Sequence, residues 1–398
     1  MRPPHEEPQP ATRSHRTTRR ALYGSEHEDF RRSARAFFER EVVPHHARWE
    51  ADGIVPRDLW LAAGRAGLLC FDVPEEYGGP GIVDFRFSVV LTEEQTRAGA
   101  SGPGFSVHSD IIVPYLTSLG TDEQRRRWLP GCVSGRTITA IAMTEPGAGS
   151  DLQGVRTTAV DAGDHYVLNG SKTFISNGIH ADLVVVVART DPDAGHQGIS
   201  LLVVERGMDG FERGRNLDKI GLHAQDTSEL SFTDVRVPRG NLLGQEGQGF
   251  RYLMQNLPQE RLIIGAQAVA ATEAVVEMCL AHARSREAFG RPIGEFQHNR
   301  FLLAEMATEA RVARAFLDDC VARHLDGELT AVDAAMIKWW ATELQNRIVS
   351  QGVQLHGGYG YMTEFPIAKA FLDSRVSTIY GGTTEIQKEI IGRSLGIS

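Results

Sequence analysis

The sequence predicts an α+β fold in which a helical segment, a segment of short strands and a second helical segment follow one another over 398 residues. Apolar residues recur at helical spacing up to about residue 135, and short β-branched runs separated by turn residues follow as far as residue 238. Long amphipathic stretches return from Gly249. We place a disordered tail at 1–20, an N-terminal helical domain at 21–138, a middle β domain at 139–246 and a C-terminal helical bundle at 247–398.

Composition narrows the class of protein. The chain has 42 Lys+Arg and 51 Asp+Glu residues, a formal net charge of −9, which argues against a nucleic-acid-binding protein because phosphate binding needs clustered cations. No run of 18 apolar residues occurs, so we expect no membrane span. Four cysteines far apart, without a C-x-x-C pair, predict no metal site and no disulfide scaffold. A reducing compartment fits best: the cytoplasm, or alternatively the mitochondrial matrix.

Residues 1–20 contain several prolines and arginines and almost nothing apolar, which is typical of a disordered tail; Glu6 and Glu7 weaken the alternative of a transit peptide. In the helical segment that follows, Phe30 to Val42 present apolar residues on one helix face. A helix is also expected from near Phe87 to Ala98, and another over Asp122–Leu129 with Thr121 as its N-cap.

The middle segment consists of short β-branched runs with turn pairs such as Asn169-Gly170 and Asn177-Gly178 between them, a pattern typical of a sandwich or barrel. The predicted strands are Thr137–Met143, Val155–Val160, Tyr166–Leu168, Lys172–Ile175, Leu183–Ala188, Ser200–Val204 and Glu229–Phe232.

The last segment contains four helical stretches joined by short loops, as in an up-down bundle, and Pro258 is expected to kink or restart the first of them. The stretches are Phe250–Asn256, Arg261–Arg286, Phe301–Leu325 and Ala331–Val353.

Five clusters of residues have features suited to a ligand. Three lie around the β domain and the first long helix. Met143–Asp151 has glycines that let backbone amides approach an anion, and Lys172–Gly178 has an aromatic and a hydroxyl on one strand face. Arg284–Ile293 has three arginines, which could bind a pyrophosphate. Taken singly, these fit a glycine-rich turn, an ordinary strand and a helix end with cations equally well. The other two, Gln354–Tyr361 and Ile379–Ile386, are glycine-rich breaks between helices, where close approach to a ligand would justify the cost in helix stability.

Together the five clusters resemble those of the flavin-dependent acyl-CoA dehydrogenase family, from about Leu22 to the C-terminus. The spellings Leu257-Pro258-Gln259-Glu260-Arg261 and Tyr380-Gly381-Gly382-Thr383 are similar to the long-chain type of that family. The resemblance implies an N-terminal α-helical domain, a middle β-barrel and a C-terminal four-helix bundle, assembled as a homotetramer (a dimer of dimers). It also implies FAD as cofactor, an acyl-CoA substrate, an electron-transfer flavoprotein as acceptor and a place in fatty acid β-oxidation.

The resemblance also implies which residue is the catalytic base. Most of the family keep a glutamate at the place of Gly381, and a glycine cannot take a proton. In the long-chain and isovaleryl types the base comes from the helix with the Glu-Arg pair, where Glu260 stands. Glu260 would then remove the α-proton while hydride leaves the β-carbon for N5 of FAD, giving a trans-2-enoyl-CoA, and the Gly381 N–H would bind the thioester oxygen. From the residues alone, a helix-surface acid beside Arg261 is the favoured interpretation of Glu260; the resemblance reverses this preference.

Cofactor and substrate residues follow from the same resemblance. The implied FAD contacts in the same subunit are Met143, Thr144, Gly149, Ser150, Phe174, Ile175, Ser176, Thr383 and Glu385. Those to the FAD of a neighbouring subunit are Arg286, Phe289, Gln297, Gln354, Gly357 and Gly358. The implied substrate contacts are Ser150, Pro258, Gln259, Arg261, Tyr380, Gly381 and Gly382.

Three alternatives remain open at this stage. The runner-up is an acyl-CoA oxidase or flavin monooxygenase of the same fold, which would react with oxygen. The acyl group could be carried by a carrier protein, and its length or branching is not determined. A non-catalytic paralogue is the third alternative, against which the intact Glu260 and the five clusters argue.

Overall fold

A computed structural model describes residues 22–396, so the predicted tail at 1–20 lies outside the described residues. The first domain is helical, as expected. Helix α6 begins where predicted, because Thr121 accepts the Gln124 backbone N–H and the Gln124 side chain accepts the Thr121 N–H. The helices are α1 Ser25–Glu41, α2 His46–Asp52, α3 Arg57–Arg65, α4 Phe85–Arg97, α5 Val113–Leu119 and α6 Asp122–Val133, with a π-helix, Val107–Ile112, leading into α5.

The middle domain is a single eight-stranded sheet with strand order β6-β7-β3-β2-β4-β5-β8, and β1 pairs with β4 in parallel. One face of the curved sheet encloses an apolar core that includes Leu168, Val186 and Phe232. The strands are β1 Thr139–Ala142, β2 Thr158–Asp161, β3 His165–Ser176, β4 Leu183–Arg189, β5 Ile199–Glu205, β6 Phe211–Asn216, β7 Thr227–Pro238 and β8 Leu242–Leu243.

The predicted turn at Asn169-Gly170 is wrong, because both residues lie inside the continuous strand β3. The register against β7 shifts between Leu168 and Gly170, so the pair forms a bulge. The Asn169 side chain donates to Asp234 across the ladder at 3.0 Å, which keeps the strand paired through the irregularity.

The C-terminal domain has three long helices, α7 Gly249–Ser285, α8 Gln297–Leu325 and α9 Ala331–His356, and two shorter ones, α10 Pro366–Ser374 and α11 Thr384–Ser394. A two-residue hairpin pair, β9 Glu287–Ala288 and β10 Arg291–Pro292, joins α7 to α8. The expected restart at Pro258 is wrong, because α7 continues through it. A proline inside a helix costs about 3 kcal/mol, and the packing of α7 against α4, α8 and α9 outweighs that cost.

Helix α7 is long and apolar enough to cross a membrane by length and composition, yet 72% of its most apolar 18-residue window is buried inside the protein. That degree of burial indicates the core helix of the bundle. Its central position matters for the site, because α7 contacts the N-terminal domain on one side and the remaining bundle helices on the other.

Candidate active site

The candidate site centres on Glu260, a buried acid in α7 with 5% of its surface exposed. Its Oε1 accepts a hydrogen bond of 2.7 Å from the hydroxyl of Tyr115, a fully buried residue of α5. Burial raises the pKa of Glu260 to about 7, although the Tyr115 hydrogen bond and the charge of Arg261 act in the opposite direction. A carboxyl group with such a pKa can exchange a proton near neutral pH.

Two buried cations belong to this region. Arg261 follows the acid in α7, and Lys338 of α9 donates from Nζ to the Gly382 carbonyl at 2.7 Å. Burial lowers the pKa of both groups, that of Lys338 to about 8; the charge of Arg261 lowers the pKa of Lys338 further, whereas the charge of Glu260 acts to raise that of Arg261. Within residues 22–396 the Arg261 Nε is buried without a hydrogen-bond partner.

Gly381 and Gly382 adopt left-handed backbone conformations, with φ of +64° and +88°. A Cβ on Gly381 would lie 2.4 Å from Cδ1 of Ile264, the movable end of a side chain, so it is the left-handed backbone that favours glycine at this position. Ile264 is one helical turn after Glu260, and the glycine pair therefore packs on the face of α7 that carries the acid.

The carbonyl groups of the glycine pair are held by buried donors. Gln387 donates from Nε2 to Gly381 O at 3.0 Å and to Gly382 O at 2.9 Å, beside the Lys338 bond. The N–H groups of Gly381 and Gly382 have no acceptor in the part of the chain that the structure describes. Two adjacent amide donors are thus available to a carbonyl oxygen on the acid's side of α7.

The glycine-rich loop after β1 is held by a buried ion pair. Lys172 of β3 donates to Glu145 Oε1 at 2.8 Å and to Met143 O at 3.1 Å. Glu145 also accepts from the backbone N–H groups of Arg156 and Thr157. The predicted contact residues of this loop lie on its open side: Gly149 and Ser150 are exposed, and Met143 and Thr144 are half-buried.

A bulge in β3 turns Phe174 outward. The register against β7 shifts between Lys172 and Ile175, and Phe174 has a φ of +59° with 69% of its surface exposed. Ser176 is half-buried, whereas Ile175 points into the core of the sheet. The bulge therefore presents an aromatic ring next to the loop, while Ile175 can contribute only its backbone to a ligand.

The remaining sequence-predicted cofactor residues form a separate cluster at the far end of α9. Lys338 and Gln354 are sixteen residues apart on α9, or about 24 Å along the helix axis. A cavity of about 500 Å³ opens at this end, and Arg286 stacks over Tyr359 at its wall. Its lining residues are His282, Arg286, Ile293, Leu355, His356, Gly357, Gly358, Tyr359 and Met362.

Phe289 lies at the tip of the β9–β10 hairpin and is 96% exposed, and Gln297 and Gln354 are exposed as well. Thr383 and Glu385 line a different cavity, of about 270 Å³, at the start of α11, where the Thr383 hydroxyl accepts the Ile386 N–H. The structure thus places Thr383 and Glu385 near the glycine pair, and places the Arg286 cluster away from it.

Of the predicted substrate residues, Arg261, Gly381 and Gly382 lie around Glu260. Pro258 and Gln259 directly precede Glu260 and are half-buried, and the Gln259 amide donates to Asp110 O at 2.8 Å. Burial raises the pKa of Tyr380 to about 12, and its hydroxyl reaches Gln267 at 3.5 Å.

Four site residues escaped prediction from the sequence: Tyr115, Lys172, Lys338 and Gln387. The only signal for Lys338 is a lysine within a run of apolar residues, and Lys172 lies in a predicted cluster without a role of its own. The partners of Tyr115 and Gln387 are set by the tertiary fold, so no local pattern marks these two residues.

Comparison with known proteins gives matches over the whole described chain. Models of the acyl-CoA dehydrogenase N-terminal, middle and C-terminal domains match residues 24–136, 140–235 and 247–396. Long-chain specific acyl-CoA dehydrogenase, mitochondrial, from Sus scrofa is 51% identical over 94% of this chain and 88% of its own. Isovaleryl-CoA dehydrogenase, mitochondrial, from Solanum tuberosum is 37% identical over 94% of this chain and 91% of its own. The crystal structure of an acyl-CoA dehydrogenase from Geobacillus kaustophilus is 52% identical, with a TM-score of 0.92 over 94% of this chain and 98% of its own.

Proposed function

The chain belongs to the acyl-CoA dehydrogenase family, and we propose that it oxidises a saturated acyl-CoA to the trans-2-enoyl-CoA with Glu260 as the base that takes the α-proton. The observation that carries this assignment is the pairing of Glu260 with Gly381. Gly381 carries no acid and has a left-handed backbone that favours glycine, whereas the buried acid on the facing turn of α7 has a pKa of about 7.

The residues present fit FAD as the cofactor. Gly149 and Ser150 leave the loop surface open, Phe174 offers an exposed aromatic face, and a Cβ at Gly147 or Gly149 would meet no protein atom. An aromatic face packs against a flat ring, and open backbone beside hydroxyl groups can bind a pyrophosphate. When bound, FAD supplies the two-electron acceptor that receives the β-hydrogen as hydride.

The chain's own residues prepare the acyl thioester for loss of its α-proton. The free N–H groups of Gly381 and Gly382 would bind the thioester oxygen, where negative charge develops as the proton leaves. Lys338 and Gln387 hold the carbonyls of the pair on the opposite side, so these donors stay fixed. Glu260 accepts the proton, and the electron pair of the broken C–H bond forms the new double bond as the β-hydrogen departs.

The cluster around Arg286 supports an assembly of several copies. It lies about 24 Å along α9 from Lys338, and its glycines, arginine and hairpin aromatic are open to an outside ligand. We propose that Arg286, Gln354, Gly357 and Gly358 bind the FAD of a neighbouring subunit, and that the protein is a homotetramer.

Two finer assignments rest on the relatives. Identity of 51% to a protein named long-chain specific supports a long acyl chain as substrate. The isovaleryl relative supports a branched acyl chain as the alternative. We propose an electron-transfer flavoprotein as the electron acceptor and fatty acid β-oxidation as the process served. Oxidation of the reduced enzyme by that flavoprotein, with little release of hydrogen peroxide in air, would separate this proposal from an oxidase.

The experiment that tests the base is Glu260→Gln. Enzyme loaded with FAD is mixed anaerobically with palmitoyl-CoA, and the visible absorbance of the flavin is followed. Wild type is expected to bleach, whereas E260Q is expected to lose at least about a hundredfold in rate, since general bases contribute about 10²–10⁴. FAD content should stay equal, because Gln keeps an oxygen for the Tyr115 hydrogen bond.

The matched control is Glu277→Gln, which changes an exposed acid of the same helix. E277Q is expected to bleach at the wild-type rate. Bleaching of E260Q at the wild-type rate would show that the base is another group.

A further inference from the structure

We propose that Tyr115 is a positioning residue for the base, holding Oε1 of Glu260 so that Oε2 faces the substrate. This inference rests on the proposed function, because it assumes that Glu260 takes the proton. It assigns a role in the reaction to the N-terminal domain, through a residue that none of the sequence clusters contains.

The geometry of the pair supports this role. Tyr115 is fully buried in α5, and its hydroxyl lies 2.7 Å from Oε1. Over residues 22–396 this is the one hydrogen bond to the Glu260 side chain, so Oε2 has no protein partner. Oε2 also keeps some accessible surface, since it is not one of the fully buried polar atoms without a hydrogen-bond partner. One oxygen is therefore fixed and the other is available for a proton.

A second hydrogen bond fastens the same turn of α7 to the same segment. The Gln259 amide donates to Asp110 O in the π-helix that leads into α5. Two consecutive residues of α7 are thus tied to the segment 107–119 of the N-terminal domain. π-Helical turns are frequent at functional sites, and this one places its carbonyl against Gln259 and the following tyrosine against Glu260.

The Tyr115 hydrogen bond also affects the charge of the base. Burial raises the pKa of Tyr115 well above its ordinary value, so the hydroxyl remains a donor through the working pH range. A donor stabilises the carboxylate over the acid and so lowers the pKa of Glu260. The other titratable groups near the base are Arg261 on α7, Lys338 on α9 and Asp110 in the π-helix.

Asp110 is a competing explanation for any ionisation seen in the pH profile, because burial raises its pKa to about 7 as well. The test therefore needs two variants. Tyr115→Phe removes the hydroxyl and keeps the ring, and Asp110→Asn removes the second buried acid while its backbone carbonyl still accepts from Gln259.

The measurement is kcat/KM and kcat of the FAD-loaded enzyme with palmitoyl-CoA from pH 5 to 10. In Y115F the acidic limb is expected to move up by about one pH unit, since a hydrogen bond to a charged group contributes on that order. Activity should be about tenfold lower below the limb and still a few-fold lower above it, because the freed carboxylate loses its fixed orientation, with KM within about twofold. A packing defect would lower activity at every pH without moving the limb.

The control for losing a buried tyrosine hydroxyl is Tyr77→Phe, whose hydroxyl donates to Asp122 at 2.7 Å in a different part of the N-terminal domain. Y77F and D110N are expected to keep the wild-type limb. An unmoved limb in Y115F, or a limb that moves in D110N instead, would overturn the role of Tyr115. Activity retained by E260Q would instead remove the premise, so the two failures are distinguishable.

Discussion

At the scale of single residues, Glu260 weakens the fold that it serves. Its folded pKa of about 7 lies above its ordinary value of 4.5, because burial disfavours the carboxylate. Below pH 4.5 the group is protonated in the folded and in the unfolded chain, and it does not lower the free energy of unfolding. As pH rises from 4.5 to 7 the unfolded chain ionises first, so stability falls, by up to about 3 kcal/mol above pH 7.

Glu260→Gln is accordingly expected to be more stable than wild type at pH 8, with a thermal midpoint several degrees higher, and indistinguishable from it at pH 4.5. Thermal unfolding of the FAD-free proteins at the two pH values measures this difference. E277Q provides the comparison, since its acid is exposed and should show no such pH dependence. A gain of equal size at both pH values would contradict the assigned cause.

The role of a residue could be predicted where its neighbours in the sequence define the chemistry. Glu260 beside Arg261, and Gly381 in place of an acid, predict the base from the sequence by resemblance, and the structure shows that this glutamate is buried. Tyr115 and Lys338 were not predictable in this way, because each acquires its role from a partner more than forty residues away. A buried hydroxyl or ammonium has no sequence signature until the fold supplies its acceptor.

At the scale of elements, the loop Met143–Asp151 depends on strand β3 behind it. Lys172 and Glu145 are both buried, and burial lowers the pKa of Lys172 to about 8 while the Glu145 contacts oppose this. The pKa of Glu145 is lowered, since the hydrogen bonds from Lys172 and Thr157 outweigh its burial. The pair thereby fixes the backbone on which cofactor binding is proposed.

Lys172→Met is expected to weaken FAD binding at least tenfold, because it leaves Glu145 buried without its cation. Titration of the FAD-free protein with FAD, followed by flavin fluorescence, measures this affinity. Lys388→Met, a change of an exposed lysine, should bind like wild type. The double variant K172M/E145Q removes both charges and should recover part of the loss; a double variant weaker than K172M would argue against the pair as the cause.

Elements differ in how well a sequence predicts them. Helices such as α4 and α6 were found within a few residues, because their spacing and caps are local. Strand β3 was divided in two, since Asn169-Gly170 has the composition of a turn but sits in a bulge held by β7. The outward turn of Phe174 arises from a second bulge in that strand, and pairing across strands decides both.

At the scale of the whole molecule, the candidate site needs all three domains together. The proposed base Glu260 lies on α7, its partner Tyr115 on α5, and the loop on which cofactor binding is proposed in the middle domain. Buried ion pairs join the first and last of these domains: Arg314 of α8 contacts Glu93 of α4 at 2.5 Å and Glu273 of α7 at 2.5 Å. These carboxylates raise the pKa of Arg314 although burial opposes it.

Arg314→Met is therefore expected to lower the free energy of unfolding by about 2–3 kcal/mol, because Glu273 loses its two hydrogen bonds to Arg314 and Glu93 keeps only its second cation, Arg31 at 2.7 Å. Arg347→Met is the matched control, since Arg347 joins α9 to Glu309 of α8 near the surface and such pairs contribute at most about 1 kcal/mol. Urea unfolding, followed by tryptophan fluorescence, measures both variants.

Helix α4 packs on α7, the helix that carries Glu260. R314M should therefore lose activity at a lower urea concentration than wild type, while its activity without urea stays within a few-fold. Equal shifts in R314M and R347M would show that the buried network does not hold the two domains together. A larger shift in R314M, with activity and fluorescence changing together, would mean that the site is lost when the domains separate.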